Sequence, residues 1–264
     1  MLQFAQHARR RLQSLLPPEL EGSELWALLS SSRHAFLLGD RRARLIINRV
    51  RLFAFLFAVV TPLWCVVDFL VFEAPLWYYL ASLRLATSVA FTVLLLAPTR
   101  KRMADAYRAM ALLFAIPTLF YIASHSLLAG HQLTDLSEAV ATGYAFLPFV
   151  LMAGLAIFPL TLKENLMVAC VIMGAQLLAG YLNWSTLSWP SFVGGTWLLL
   201  LIAAVVILAS LSQLAFMLVL VRQLMHDPLT RTFNRAVGEE ICQLYWNQSV
   251  RNKQPLSLAL LDLD

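Results

Sequence analysis

The chain has 264 residues, 60% hydrophobic and 13% charged, with a net charge of +5. Soluble domains are usually ~25% charged and ~45–50% apolar, so an ordinary soluble globule is excluded as the first reading and a membrane protein replaces it. Basic residues in such a chain report orientation rather than a nucleic-acid partner, and three scattered cysteines, Cys65, Cys170 and Cys242, support neither a disulfide framework nor a CxxC metal site.

Residues 1–51 are polar and Arg-rich. The first long apolar run begins only at Leu52, so no cleavable signal peptide is expected. Ala5, Ala8, Leu12, Leu15 and Leu16 share one helical face, and Pro17-Pro18 ends that helix. A second helix is expected from about Ser23 to Leu38, stopped by Gly39. Basic amphipathic helices beside a span lie on the inner leaflet or pack beneath the bundle.

Six runs are long enough to cross ~30 Å of hydrocarbon as helices. They cover 52–72, 76–97, 107–130, 139–160, 165–182 and 192–221. Nine Lys and Arg precede the first run, and four cluster at Arg100, Lys101, Arg102 and Arg108. Lys163 is in the fourth connection, and five more follow the last run. The first, third and fifth connections hold none. This is the positive-inside pattern, and it predicts both termini in the cytoplasm. Trp64, Trp77, Tyr78, Tyr79, Trp184 and Trp189 lie near the predicted outer ends, as interfacial aromatics do.

Two charges fall inside runs. Asp68 lies near the outer end of the first and Arg84 inside the second, on either side of a tight turn at Ala74-Pro75. A lone charge in hydrocarbon costs at least ~2.5 kcal/mol, so an Asp68–Arg84 pair inside the bundle is predicted. The outer connection 131–138 carries His131, Asp135 and Glu138, with His125 just before it. Their spacing matches no metal pattern, and a solvated polar loop is expected. No internal repeat and no Gly/Pro-broken helix pair recurring in two halves is visible, which argues against a small transporter.

The sixth run continues past the membrane. Leu211, Leu214, Leu218, Val221 and Met225 are spaced 3, 4, 3 and 4, an a/d seam that predicts a dimerising signalling helix over 211–226. The composition changes at His226. The stretch DPLTRTFNRAVGEEICQLYW reads as a helix stop, an N-cap at Asn234, and a helix from Arg235 to about Ser249. A polar loop then leads to LSLALLDLD, an apolar strand with Asp262 and Asp264 near its end.

These last ~38 residues resemble the beginning of the GGDEF family, the diguanylate cyclases. The family opens with D-x-L-T-x-x-x-N-R, here Asp227, Leu229, Thr230, Asn234 and Arg235. Its first strand ends in D-hydrophobic-D, here Asp262-Leu263-Asp264. The match departs from the commonest pattern at Arg231, where glycine is usual, and at Ala236, where a second arginine is usual. The resemblance implies that two such domains join two GTP into cyclic di-GMP across a dimer interface, with Mg²⁺ on hard oxygen ligands. It makes Asp262 a metal-ligating carboxylate and the Leu263 carbonyl a second oxygen ligand. It leaves Asp264 without an assigned role, and gives Asp227, Leu229, Thr230, Asn234 and Arg235 the bracing of the join between helix and domain.

No GGDEF or GGEEF sequence occurs in the chain. The catalytic set is therefore incomplete, and this stretch is expected to show no cyclase activity and to hold no Mg²⁺ by itself. The expected fold class is an all-α polytopic membrane bundle of six transmembrane helices followed by a truncated α/β fragment of GGDEF type. Its expected organisation is basic amphipathic helices over 1–51, a sensor module over 52–221, the signalling helix, and a GGDEF start over 227–264. The expected function is the sensor part of a diguanylate cyclase in the bacterial inner membrane. Its expected partners are lipid, a second copy of the chain and, for the whole enzyme, GTP. The alternatives are a receptor with a degenerate GGDEF-like domain and, less favoured, a transporter. The sensor's ligand is unread.

Overall fold

The computed structural model describes residues 28–29, 36–98, 102–133, 135–182, 189–225, 230 and 232–259. The chain divides into two compact units, residues 1–215 and 216–264. In chain order the helices are α1 Phe36–Leu63, α2 Cys65–Val71, α3 Leu76–Leu96, α4 Met103–Ala129, α5 Asp135–Ala145, α6 Leu147–Leu155, α7 Leu162–Leu182, α8 Trp189–Met225 and α9 Arg235–Asn252. Six stretches are long and apolar enough to cross a membrane: Gly39–Val71, Leu76–Leu96, Met103–Ala129, Leu136–Leu155, Leu162–Leu182 and Trp189–Val221. The amphipathic helix expected over the first 16 residues lies outside the described residues.

The first unit exposes hydrocarbon as no soluble bundle does, around a core that is mainly apolar but holds several polar groups. On α3 the buried positions are Leu76, Leu80, Arg84, Thr87, Phe91 and Leu94, a helical stripe that includes the charge. The opposite stripe exposes Leu85, Val89, Val93 and Leu96. The same holds elsewhere: Arg42, Asp68, Asn165, Gln176 and Ser210 are buried while leucines and valines face outward. Polar groups inside and hydrocarbon outside is the arrangement a lipid solvent selects.

Gly39 does not stop a helix, contrary to the reading of the sequence. It lies within α1, which runs unbroken from Phe36 into the first apolar stretch. A glycine costs a helix only about 1 kcal/mol. The face Ala43, Ile46, Ile47, Val50 and Ala54, buried in the main core, outweighs that.

Two of the six stretches are interrupted by a single residue, each in the right-handed helical region. The first breaks at Trp64, two residues after Pro62, and separates α1 from α2. The fourth breaks at Phe146, with Pro148 at the start of α6. Pro62 has no N–H for the carbonyl of Ala58. The Ser88 hydroxyl on α3 donates to that carbonyl instead, at 2.7 Å. In a medium without water a freed carbonyl needs such a donor from a neighbouring helix.

Gly180 on α7 is dictated by contact. A Cβ there would lie 2.1 Å from Cε2 and 2.4 Å from Cζ of Phe192 on α8. Gly180→Ala is expected to lower stability by about 1–3 kcal/mol through overpacking. Phe192→Leu in the same chain is expected to recover part of the loss in thermal unfolding. Full stability of the single variant would show that the helices separate freely at this crossing.

In the second unit, Asn234 caps α9. Its side-chain oxygen accepts from the Val237 N–H at 2.9 Å, as expected from the sequence, and its own N–H donates to the Met225 carbonyl at the end of α8, at 3.0 Å. One residue thus serves the end of one helix and the start of the next. α9 ends with Lys253 in the left-handed region (φ 53°), where the Gln254 N–H returns to the Ser249 carbonyl. Residues 254–259 have no regular structure, and no strand occurs among the described residues. A strand at this point needs a pairing neighbour, and none is described.

Candidate functional site

α2 and α3 form a hairpin through a cis Ala74–Pro75 turn. It brings Asp68 and Arg84 together. Arg84 Nε donates to Asp68 Oδ2 at 2.5 Å and Nη2 to Oδ1 at 3.4 Å. The Asp68 side chain is 0% exposed and that of Arg84 8%. Tyr144, the penultimate residue of α5, donates its hydroxyl to Asp68 Oδ1 at 2.5 Å. The carboxylate therefore bridges the two interrupted helices, α2 and α5.

Aromatic rings enclose the guanidinium. Its central carbon lies 4.7 Å from the Tyr144 ring centroid, 5.3 Å from Phe120 and 6.0 Å from Trp64. Each ring face attracts a desolvated cation by about 0.5–2 kcal/mol. Phe120 stacks on Tyr144, and Phe72 meets Tyr144 edge-on. At 1.5 Å per residue, Arg84 lies about 12 Å along α3 from Leu76 and Tyr144 about 14 Å along α5 from Asp135. Sequence reasoning found the ion pair through its two isolated charges. It missed Tyr144, which looks like any aromatic in an apolar run, although its distance from the helix start was a usable signal.

At the opposite end of the bundle a second polar cluster holds the non-helical segment 156–161. Phe158, Leu160 and Thr161 in it are 0% exposed. Its carbonyls are met one by one. Gln213 Nε2 donates to Ala156 at 2.9 Å, Arg49 Nη1 to Ile157, and Arg42 Nε to Pro159 at 2.7 Å. Asn165 Nδ2 reaches Leu160 and Thr161 at 3.2 Å, and Leu160 N–H serves Phe158 at 2.9 Å. Arg42 also pairs with Glu164, which accepts from the Tyr107 hydroxyl and from Thr161 N–H at 2.9 Å. Arg42 Nη1, Thr161 Oγ1 and Asn165 Oδ1 stay buried without a partner. Each such atom costs about 1–3 kcal/mol, which makes this strap the least satisfied buried part of the bundle. None of these residues stood out in the sequence, because arginines near a span end read as orientation signals.

The predicted seam on α8 consists of buried and half-buried residues. Leu214 is 0% exposed, Val221 is buried, and Leu211, Leu218 and Met225 are half-buried. The outward positions are Leu201, Val205, Leu208, Phe216 and Leu220. Amphipathic spacing marks a face without saying whether its own bundle or a second copy covers it.

The described polar side chains of the third connection do not converge, and the Asp135 side chain lies outside the described ones. His131 and Glu138 are exposed, whereas His125 is buried beside Tyr121, with ring centroids 5.7 Å apart. Among the described residues no group of three metal-ligating side chains occurs. In the GGDEF-like stretch, Thr230, Asn234 and Arg235 are described, and Arg235 Nε pairs with Glu239 at 3.1 Å on an exposed face. Asp227, Leu229, Asp262, Leu263 and Asp264 lie outside the described residues. Set against known proteins, the chain matches no family model, no characterised protein and no solved structure.

Proposed function

We propose that this chain is the membrane-embedded input module of a diguanylate cyclase of the bacterial inner membrane, with both termini cytoplasmic. The observation that carries the reading is the ordered motif pair: Asp227-Pro-Leu229-Thr230 with Asn234-Arg235, then Asp262-Leu263-Asp264, after an apolar helix that runs to Met225. α8 is 37 residues, about 54 Å, against ~30 Å of hydrocarbon, so it supports a transmitter reading. The double service of Asn234 to α8 and α9 is what a brace between helix and domain needs. Mg²⁺, held by Asp262 and the Leu263 carbonyl, and GTP belong to the whole enzyme.

A chimera tests this. Residues 1–233 joined to a complete cyclase domain from its Asn-Arg motif onward should make cyclic di-GMP in membranes, while residues 1–264 with GTP and Mg²⁺ should make none. The chimera's output should change at least threefold when Gln213 is replaced by Leu, because Gln213 clamps α8 to the 156–161 strap. An output unchanged by any bundle variant that keeps its fold would end the input-module reading.

Dimerisation is tested by single cysteines at Leu208 and Leu214, after replacing Cys65, Cys170 and Cys242. Leu208 is 71% exposed and is expected to crosslink between copies, whereas Leu214, at 0%, is not. Absence of both crosslinks in membranes would count against an α8-paired dimer.

A second reading has one specific observation in its favour. Interrupted helices in corresponding positions of two three-span halves, meeting at a buried carboxylate, are the layout of a transporter site. Proton or solute flux in proteoliposomes that Asp68→Asn abolishes would favour it over the sensor.

A further inference from the structure

At the end of the bundle nearest the ion pair, the α2–α3 turn and the α4–α5 connection enclose an open cleft of about 510 Å³. That is within the ~300–1,000 Å³ of small-molecule sites. Its lining has two characters. Phe72 and Leu76, both 4% exposed, form an apolar floor, with Leu136 beside them. Glu73, His131 and Gln132 supply the polar wall and are exposed.

The polar wall offers three hydrogen-bond acceptors, beside the Gln132 amide N–H groups and the Ser137 hydroxyl. His131 Nδ1 lies 2.9 Å from the Leu127 carbonyl. A carbonyl only accepts, so Nδ1 carries the proton and Nε2 of the neutral ring is an acceptor. The Glu73 carboxylate accepts only, and Gln132 offers an amide oxygen. The electrostatics agree. The two connections forming the cleft carry Glu73, Asp135 and Glu138 in sequence and no Lys or Arg. The nearest buried cation, Arg84, is matched by Asp68. A site built from acceptors and net negative charge favours a cation with several N–H groups.

We propose that this cleft binds a small primary ammonium with an apolar body, its N–H groups shared among Glu73, His131 and Gln132 and its body against Phe72, Leu76 and Leu136. Three donors on one nitrogen suit three acceptors, and the apolar floor excludes a bare inorganic cation as the best fit. Phe72 is also the ring that meets Tyr144 edge-on, at 6.5 Å between centroids. A ligand seated on Phe72 is therefore one side chain from the Asp68–Tyr144–Arg84 cluster.

The test uses the whole chain in phosphatidylcholine nanodiscs, with empty discs as blank, at about pH 8. The probes are 2-phenylethylammonium, 2-phenylethanol and phenylacetate, titrated by calorimetry. Saturable binding of the ammonium is expected, at least tenfold weaker binding of the alcohol, and none of the carboxylate. Glu73→Gln is expected to weaken the ammonium at least tenfold and His131→Phe severalfold. Glu239→Gln, exposed on α9 and outside the lining, should leave binding unchanged. Unfolding midpoints equal to the parent's establish that the variants fold. Equal binding of phenylacetate, no saturable ammonium binding, or an unchanged affinity in both Glu73→Gln and His131→Phe would overturn the proposal, as would Zn²⁺ or Ca²⁺ displacing the probe with higher affinity. Binding is read here without any cyclase output, so its failure leaves the input-module reading standing, and the reverse also holds.

Discussion

Asp68→Asn is expected to destabilise the bundle by about 3–5 kcal/mol, measured as thermal unfolding in detergent, because it leaves the Arg84 cation buried without a counter-charge. Asparagine keeps the shape but turns one of the two acceptor oxygens into an NH2 donor facing Arg84 or Tyr144, so the loss combines the charge with a hydrogen bond. Arg84→Met alone should cost a similar amount, since it strands the carboxylate. The double variant Asp68→Leu with Arg84→Met should return most of the stability, because a buried pair replaced by apolar groups is often neutral or better. Tyr144→Phe removes one hydrogen bond to a carboxylate and should cost about 1.5–3 kcal/mol. A double variant no more stable than either single would mean the two charges do not act as a pair. The double variant also separates glue from signal. If it folds and the chimera's output is unchanged, the pair only holds the α2–α3 hairpin. If it folds and the output is lost, the charges take part in sensing.

The second large effect is expected at the opposite end. Arg42→Ala should cost about 3–5 kcal/mol, since Arg42 is fully buried, donates to the Pro159 carbonyl and neutralises Glu164. Hydrogen exchange should rise first over residues 156–161, where the carbonyls depend on side chains from α1, α7 and α8 rather than on a helical ladder. Arg42→Lys should recover less than half of the loss: it keeps the charge but lacks the planar fork that reaches a carbonyl and a carboxylate at once. A lysine variant as stable as the parent, or an alanine variant within about 1 kcal/mol of it, would show that the strap holds without this clamp.

The two clusters give the bundle a graded design. The aromatic cage is closely satisfied, with a carboxylate shared by a guanidinium and a phenol. The strap is not, with three buried polar atoms lacking partners. Gln213 lies on α8, and its amide holds both Ala156 and Arg49. A displacement of α8 along its axis has to break those bonds first. This is why the chimera test above is aimed at Gln213 and not at an apolar residue of the same helix.

Much of the architecture is a local property of the chain. Twenty apolar residues in a row make a helix that can cross hydrocarbon, and the count needs no tertiary contact. Six such stretches follow from hydropathy alone, with ends that shift by several residues because a helix continues wherever its neighbours bury it, as α1 does through Gly39. The Asp68–Arg84 pair was equally legible. A charge in an apolar run has few ways to be tolerated, and a tight turn left only one partner within reach. The cap at Asn234 was readable because its side chain bonds within three residues.

Tertiary structure decided the rest, because those features depend on groups distant in sequence. Whether Pro62 and Pro148 bend or break a helix turns on which donors neighbouring helices offer to the freed carbonyls. The strap at 156–161 exists only because Arg42, Arg49, Asn165 and Gln213 converge on it from three helices. Which stripe of α8 faces inward was a choice between two apolar faces, and packing made it: Leu214 went to the core, and Leu208 was left outside.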